Sequence, residues 1–530
     1  MTDVVVIGGG HNSLVCALGL ARAGKRVTVV ERREAVGGLA APLRFGDAGT
    51  YTVPGLLHET GGVRPALVRD LGLDRAGLVL EPAPGPVLAT SGLDRGVMLW
   101  PDAQRSAADL SRLDPGAAAG YATYRAFHAR VRDFVAGVLD EPPPSISPTS
   151  FAELLALGKA GLGLRGLGKA DMVELLRVAP MCAADWLVEH FSAVPLLSAA
   201  LAAPAVQGTW YGPWSAGTAA NLLMHECTRT AHLPGGPAAL VAALARALEA
   251  TGRVEIRTGS AVAEILVDSA GVRGVRLEQG GEILAPLVAS GLDPRTTLLS
   301  LVPPLALSTD VARQLEVVRA RGTSAKVHLA LAAPLVFRER PGERLARAQV
   351  GGHLDDLERA ADAVKYRAMS DRPHLDVWVP TVADPSLAPA GHEVVSLLVH
   401  YAPHDLAGGW TDEARQTLAD RALAVLEAAA PGVRSQIVAM EVLTPVDIEH
   451  RYGISGGHIH HVEHALDQIL FMRPAPAVAH YRTPVRGLYL CGAGCHPGGG
   501  LSGMPGALAA KTILKGAQMA ATLAGTPGTR

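Results

Sequence analysis

Two stretches near opposite ends of the chain share one pattern. VVVIGGGHNSLVCALGLARAG, residues 4–24, is an apolar strand, a glycine cluster and an apolar helix; GLYLCGAGCHPGGGLSGMPGALAAK, residues 487–511, repeats that order. At such a turn the first N–H groups of the helix lack intrahelical partners and, with the helix dipole, favour an anion. The first turn reads as a strand over 4–7, a helix over 13–23 closed by Gly24, and a strand over 26–30. That is a βαβ opening, and its parallel pairing predicts an α/β fold with both sheet faces covered.

Length and charge narrow the rest. At 530 residues the chain exceeds one ordinary core, so two joined domains are expected. Its 48 Lys and Arg against 50 Asp and Glu, with no basic tail, exclude a nucleic-acid binder held by bulk charge. Hydrophobic residues make up 48%, yet the apolar run PLLSAALAAPAV is short and cut by Pro204, so no membrane span is expected. Asp3 leads straight into a strand with no basic segment or cleavage site, which predicts a soluble, cytoplasmic protein. Cys16, Cys182, Cys227, Cys491 and Cys495 lack paired spacings and read as reduced thiols, the last two as small buried hydrophobes.

Between the two turns, residues 109–201 are helical by pattern, broken at EPPPSISPTS and at LGKAGLGLRGLGKA. The second break reads as a flexible surface connection, because its glycines oppose a stable helix. The alternative is a lip in peripheral contact with a membrane, since leucines recur there among Lys159, Arg165 and Lys169. A helix then begins at HLPGGPAALVAALARALEATG, followed by a strand, a hairpin turning at Gly280-Gly281 and a strand reaching Ser290. Further strands are expected over 324–337, 375–380, 393–400 and 436–443, with a helix over 411–429.

Gly8-Gly9-Gly10-His11-Asn12-Ser13 is G-x-G-x-x-S. Gly8 permits the tight turn, Gly10 lets the backbone approach a pyrophosphate, and Ser13 replaces the third glycine with a side chain still small enough for packing. His11 and Asn12 shape that turn. Glu31 closes the second strand, where a carboxylate accepts from adenosine ribose hydroxyls and repels a 2′-phosphate, arguing against NADP. Arg32 follows it, and Gly37-Gly38 gives a second close backbone approach that a nicotinamide dehydrogenase does not need. A long FAD does need it, and needs the far turn to hold its ribityl and flavin end, through Gly492, Ala493, Gly503 and Met504. The helix after Gly503 is expected to aim its N-terminus at the flavin. No residue pattern marks a tether, so FAD is expected to be non-covalent.

VVVIGGGHNSLVCALGLARAGKRVTVVERREAVGG, GSAVAEIL, GISGGHIHHVEHALDQILFMRP and GLYLCGAGCHPGGGLSGMPG together resemble the bacterial phytoene desaturase-like FAD oxidoreductases, and among them the branch called pyridine nucleotide-disulfide oxidoreductase domain-containing protein 2. These belong to the flavin amine oxidase and carotenoid desaturase superfamily. The resemblance runs over nearly the whole chain and is weakest over 64–205. It implies a Rossmann-type, glutathione-reductase-like, discontinuous FAD domain from residues 1–75, 225–295 and 480–530, and an α+β substrate domain from 76–224 and 296–479. Val262, on the hairpin strand, is a further implied cofactor contact. The implied chemistry is hydride abstraction from a C–H bond of an apolar or secondary-metabolite substrate, with electrons passed to oxygen, a quinone or another acceptor.

Departures from the superfamily sharpen this. Gly492-Ala493 stands where many members have Gly-Asp, a trait shared with phytoene desaturases, and Leu39-Ala40 stands where amine oxidases carry a basic residue. No C-x4-C dithiol supports disulfide reduction. An FAD amine oxidase and a non-redox isomerase or structural flavoprotein are the alternatives.

GISGGHIHHVEH places His458, His460, His461 and His464 together without the spacing of a zinc site, so they read as hydrogen-bonding cavity lining, with no metal expected. His496 joins them as a cavity candidate. Trp210-Tyr211 reads either as an aromatic cavity wall or as core filling. No residue is singled out as acid or base.

Overall fold

A five-stranded parallel sheet gathers strands from both ends and the middle of the chain in the computed structural model, which describes residues 2–82, 85–93, 96–145, 148, 150–229 and 231–525, with side chains to 517. The valine run of β1 (Val4–Ile7) is followed by helix α1 (His11–Arg22) and β2 (Val27–Val30). Later come β3 (Val254–Arg257), β4 (Leu287–Ser290), β5 (Leu488–Leu490) and helix α2 (Met504–Gly525). The strand order is β5-β4-β1-β2-β3, all parallel. The fold is α/β, and both glycine turns fall at the same end of this sheet, where open α/β sheets bind ligands.

Close packing of α1 on α2 brings the chain's two ends together. A Cβ on Gly506 would lie 2.0 Å from the Asn12 carbonyl oxygen, and one on Gly19 would lie 3.1 Å from Ala510 Cβ. Glycine therefore serves this helix crossing as well as the turns. A three-stranded antiparallel meander (Val262–Asp268, Gly271–Leu277, Glu282–Leu284) flanks the sheet.

A second, seven-stranded sheet runs in the order Ile437–Leu443, Ser324–Leu331, Glu393–His400, His374–Trp378, Arg347–Val350, Val87–Thr90, Val97–Leu99. All neighbours are antiparallel except Arg347–Val350 with Val87–Thr90. The strand from Ser324 stops at Leu331, short of the expected 337, and the three strands of the far edge were not expected. Ala325, Val327, Leu329, Val395 and Leu397 form a core on one face. The alternate residues Lys326, His328, Ser396 and His400 are also buried, so the polar face is covered too. Helices including Pro115–Leu139, Pro195–Val206 and Thr218–Thr228 carry a further core around Tyr121, Tyr124 and Trp186.

The glycine-spaced stretch is helical rather than a flexible connection, forming Phe151–Gly166 and then Gly168–Val178. The Ser150 hydroxyl caps it by accepting from the Glu153 N–H at 3.3 Å, and its leucines and alanines offset the glycine cost. None of the residues of Phe151–Gly166 is buried. The EPPPSISPTS break, over 141–150, lies partly outside the described residues. Among the described residues no helix is long and apolar enough to cross a membrane.

Candidate functional site

A cleft opens beyond the C-terminal ends of β1 and β4, where the chain leaves β1 towards β2 on one side and β4 lies on the other. Gly8, at φ 87°, makes the turn in the left-handed region that glycine tolerates. Gly10 caps α1 with no side-chain hydrogen bond, and a Cβ on it would meet nothing within 4 Å. The helix N-terminus is thus open to the cleft. Glu31 braces the turn: its Oε2 accepts from the Gly9 N–H at 2.6 Å and its Oε1 from the Arg33 N–H at 2.9 Å. The Gly37 N–H donates to the Gly9 carbonyl at 2.7 Å, and a Cβ on Gly38 would lie 3.2 Å from Gly10 Cα. Ser13, the departure from the glycine fingerprint, has a compensating partner: a Cβ on Gly291 would lie 1.8 Å from its hydroxyl. The glycine missing from the helix stands on β4's exit instead.

Gly8, Gly10, His11, Asn12, Ser13, Glu31, Gly38 and Ala493 line this one cleft, with Gly37 behind it. His11 Nε2 lies 3.2 Å from the carbonyl oxygen of Gly500, which also lines the cleft, and burial lowers the His11 pKa to about 4. Other expected contacts stand apart. Arg32 donates to the His450 carbonyl at 2.8 Å, whereas Arg33 faces the cleft and lies 4.6 Å from the Tyr452 ring centre. Val262 pairs with Leu277 outside the cleft; the hairpin's contribution is the Ser260 N–H, donated to the Glu31 carbonyl at 2.9 Å. Gly492 packs on β4's exit, where its Cβ would lie 2.4 Å from the Gly291 carbonyl oxygen. Gly503 packs against Leu67 and Val15, and Met504 is buried beside it, so neither lines the cleft. The residues present fit a phosphate-bearing dinucleotide. Asn12 Oδ1 and Arg33 Nη1 are buried at the cleft without a hydrogen-bond partner, and the α1 N-terminus is uncapped.

A larger cavity of about 370 Å³ lies between the polar face of the seven-stranded sheet and the helical layer. One short segment separates it from the cleft: Leu57 lines the cleft, Glu59 lines the cavity, and His58 is buried between them. His58 Nε2 meets Lys326 Nζ and lies 3.0 Å from the Ser396 hydroxyl, while its Nδ1 faces Asp376 at 3.5 Å. Burial pushes the Lys326 amine well below its ordinary pKa and lowers His58 to about 3, against the pull of Asp376. Burial works against the charge of Glu59, but Arg229 at 3.3 Å, His225 and Arg347 outweigh it and hold the pKa at about 2. Sequence reasoning missed Lys326, His58, Asp376, Glu59 and Arg229. For Lys326 and Asp376 the signal was polar residues alternating with apolar ones along strands, which ordinarily marks a solvated face, whereas His58, Glu59 and Arg229 lie outside strands and carry no such pattern.

A second partition comes from the histidine-rich segment. His461 lines the cleft, and His460 Nε2 lies 3.2 Å from the carbonyl oxygen of Gln207, which lines the cavity. His458 Nδ1 accepts from the His460 N–H at 3.2 Å, and the His460 and His464 rings stack at 4.7 Å. Burial, aided by Arg473, lowers His460 and His461 to about 4 and pushes His458 and His464 down as well. His461 thus lines the cleft, while His458 and His460 form the layer behind it. His496 is buried near Val138 and Glu141 and lines neither space. Trp210 and Tyr211 do not wall the cavity: Trp210 stacks with Arg321 at 4.4 Å, and the Tyr211 carbonyl accepts from the Tyr401 hydroxyl at 2.8 Å. Among the described residues no three His, Cys, Asp or Glu side chains are grouped to hold a metal ion.

Residues 14–510 match the family described as flavin containing amine oxidoreductase. The chain is 32% identical over 551 residues, 97% of this chain and 93% of the relative, to pyridine nucleotide-disulfide oxidoreductase domain-containing protein 2 of Rattus norvegicus. It is 26% identical over 526 residues, 95% of each chain, to a lycopene-forming phytoene desaturase of Paracoccus sp.. Its fold resembles that of an oxidoreductase from Methanosarcina mazei, with a TM-score of 0.56 and 17% identity over 97% of this chain and 100% of the other.

Proposed function

The chain belongs to the flavin containing amine oxidoreductase family, its cofactor is FAD, and on that premise we propose that it oxidises a small molecule bound in the large cavity at a C–H bond. Bound FAD supplies the hydride acceptor. The Gly8–Ser13 turn, Glu31 and Arg33 would hold the dinucleotide end, and Ala493 and Gly500 of the far turn would hold the rest. The observation that carries the reading is the shared wall: Leu57, His58 and Glu59 on one side and His461 and His460 on the other put cleft and cavity one layer apart. In that layer Lys326 Nζ, whose pKa burial pushes well below its ordinary value, meets His58, and on this reading it takes up the proton released on oxidation through that contact, with Asp376 behind His58 favouring the charge that results. The phytoene desaturase relative favours a CH–CH bond as the site of oxidation, with oxygen, a quinone or another acceptor taking the electrons.

The test is an absorbance spectrum of the purified protein, then anaerobic titration with candidate substrates. Bleaching of the flavin band by a substrate, reversed by an acceptor, is the expected result; a flavin band that no oxidisable small molecule bleaches overturns the redox reading.

A peripheral membrane contact has its own support in the helix Phe151–Gly166. Phe151, Leu154, Leu155 and Leu162 are exposed there beside Lys159 and Arg165, which suits an anionic lipid surface. Co-sedimentation with anionic but not neutral vesicles, lost in Leu154→Glu/Leu155→Glu, is expected; no binding to either vesicle refutes it.

A further inference from the structure

Four guanidiniums, of Arg125, Arg132, Arg229 and Arg347, line the 370 Å³ cavity against three carboxylates, of Glu59, Glu226 and Asp376. The cavity histidines do not alter this balance near neutral pH, because burial pushes His225, His232 and His400 below their ordinary value. One positive charge is left over. Its distribution is uneven. Glu59 pairs with Arg229 at 3.3 Å, and Asp376 faces His58 at 3.5 Å. Arg125 donates to the Tyr121 hydroxyl at 3.1 Å, Arg347 donates to the His58 carbonyl, and Arg132 Nε is buried with no acceptor. Among the described residues no carboxylate oxygen comes within 4.0 Å of a guanidinium nitrogen of Arg125, Arg132 or Arg347.

A guanidinium stays charged in a protein, and a buried charge without a partner is costly. A pure hydrocarbon filling this space would strip water from these groups and return no acceptor. A cation would add to the excess. The volume stands at the small end of the range of about 300–1,000 Å³ for small-molecule sites. Trp100, Tyr121 and Trp378 supply an apolar, aromatic wall beside the charges.

We infer that the cavity takes a small organic monocarboxylate, its carboxylate bound by the arginine cluster and its apolar or aromatic body against Trp100, Tyr121 and Trp378. This rests on the reading of the same cavity as the place of oxidation, and it narrows an apolar substrate to one with an anionic end. Planar guanidiniums match a carboxylate through paired N–H···O bonds, which an amide or alcohol cannot replace with a charge.

Calorimetric titration of the FAD-loaded protein with hexanoate, hexanamide and hexylamine tests it. Hexanoate should bind at least about tenfold more tightly than hexanamide, a difference of about 1.4 kcal/mol, with hexylamine weakest. Arg125→Gln should abolish that preference, and Arg125→Lys, which keeps the charge, should retain most of it, with FAD content unchanged in both. Hexanamide or hexylamine binding as tightly as hexanoate overturns the inference, as does a preference that survives Arg125→Gln together with Arg347→Gln. Flavin bleaching is read separately. A carboxylate preference without any bleaching substrate refutes the redox reading alone, and bleaching by uncharged compounds without that preference refutes this inference alone.

Discussion

Replacing Arg473 with Lys should loosen the whole wall around the glycine-turn cleft. Its guanidinium is fully buried and donates only to backbone carbonyls: Cys495 from Nε, Glu463 and Gln468 from Nη1, and His460, Val462 and Ala493 from Nη2, at 2.9–3.3 Å. Burial lowers its pKa to about 9, which leaves it charged at neutral pH. One side chain thus fastens the histidine-rich segment to the C-terminal glycine turn, and both border the cleft through His461 and Ala493. Lysine keeps the charge and its desolvation cost but offers three N–H donors, and because the Glu463 carbonyl also accepts from Gln468 Nε2, at least two of the carbonyls are left without a donor. At about 1–3 kcal/mol for each unsatisfied buried acceptor, the loss is about 2 kcal/mol or more, a sizeable part of a typical net stability of about 5–15 kcal/mol. A fall in melting temperature of about 2 °C or more should follow, with FAD released on gel filtration. A Lys variant that melts with the wild type and keeps its FAD would refute the argument that these carbonyls depend on Arg473.

Gly10→Ala should lower FAD affinity at least about tenfold while the apoprotein melts no lower, because φ −64° suits alanine and its Cβ meets only the open cleft; unchanged affinity would mean the cleft is not the cofactor's. Lys326→Met should keep the flavin but slow its anaerobic bleaching by about 10²-fold or more, and unaltered bleaching kinetics would remove Lys326 from proton handling. Acid should destabilise the fold early: burial holds His11, His400, His460 and His461 at about 4, against an ordinary 6.5. As pH falls from about 6.5 to about 4 the unfolded chain binds protons that the folded one refuses, so stability drops by up to about 1.4 kcal/mol per pH unit for each histidine. Urea midpoints that stay level across that window would contradict neutral burial of these rings.

The βαβ opening was legible because valine runs, glycine and an alanine-leucine helix all point to one local structure. The strands Val87–Thr90, Val97–Leu99 and Arg347–Val350 were not, since each is only three or four residues long and the pairing of Val87–Thr90 with Arg347–Val350 joins segments distant in sequence. Adjacent Arg32 and Arg33 could not be ranked, because both lie in the bend beyond β2, where no strand alternation fixes which side chain faces the cleft. Lys326, His328 and Asp376 were hidden differently. Polar residues at every second strand position ordinarily mean a wet face, and here that face is covered and becomes a buried polar wall.

Such a wall gives the two glycine turns different jobs. The first leaves the α1 N-terminus uncapped, with Gly10 facing open space and Glu31 bracing Gly9 from behind. At the second turn the Met504 N–H is already taken by the Ser502 hydroxyl at 3.2 Å, Gly503 faces Val15 and Leu67, and Gly506 lets α2 approach Asn12 of α1. Here glycine lets two helices touch, and the contact with the cleft passes instead to Ala493 and Gly500. The Cβ of Gly503→Leu would lie 2.9 Å from Leu67 and 3.1 Å from Val15, at φ 73°, so this substitution would damage the helix crossing as well as cofactor binding. Gly10→Ala alters the cleft alone, and that difference follows from which glycines face open space.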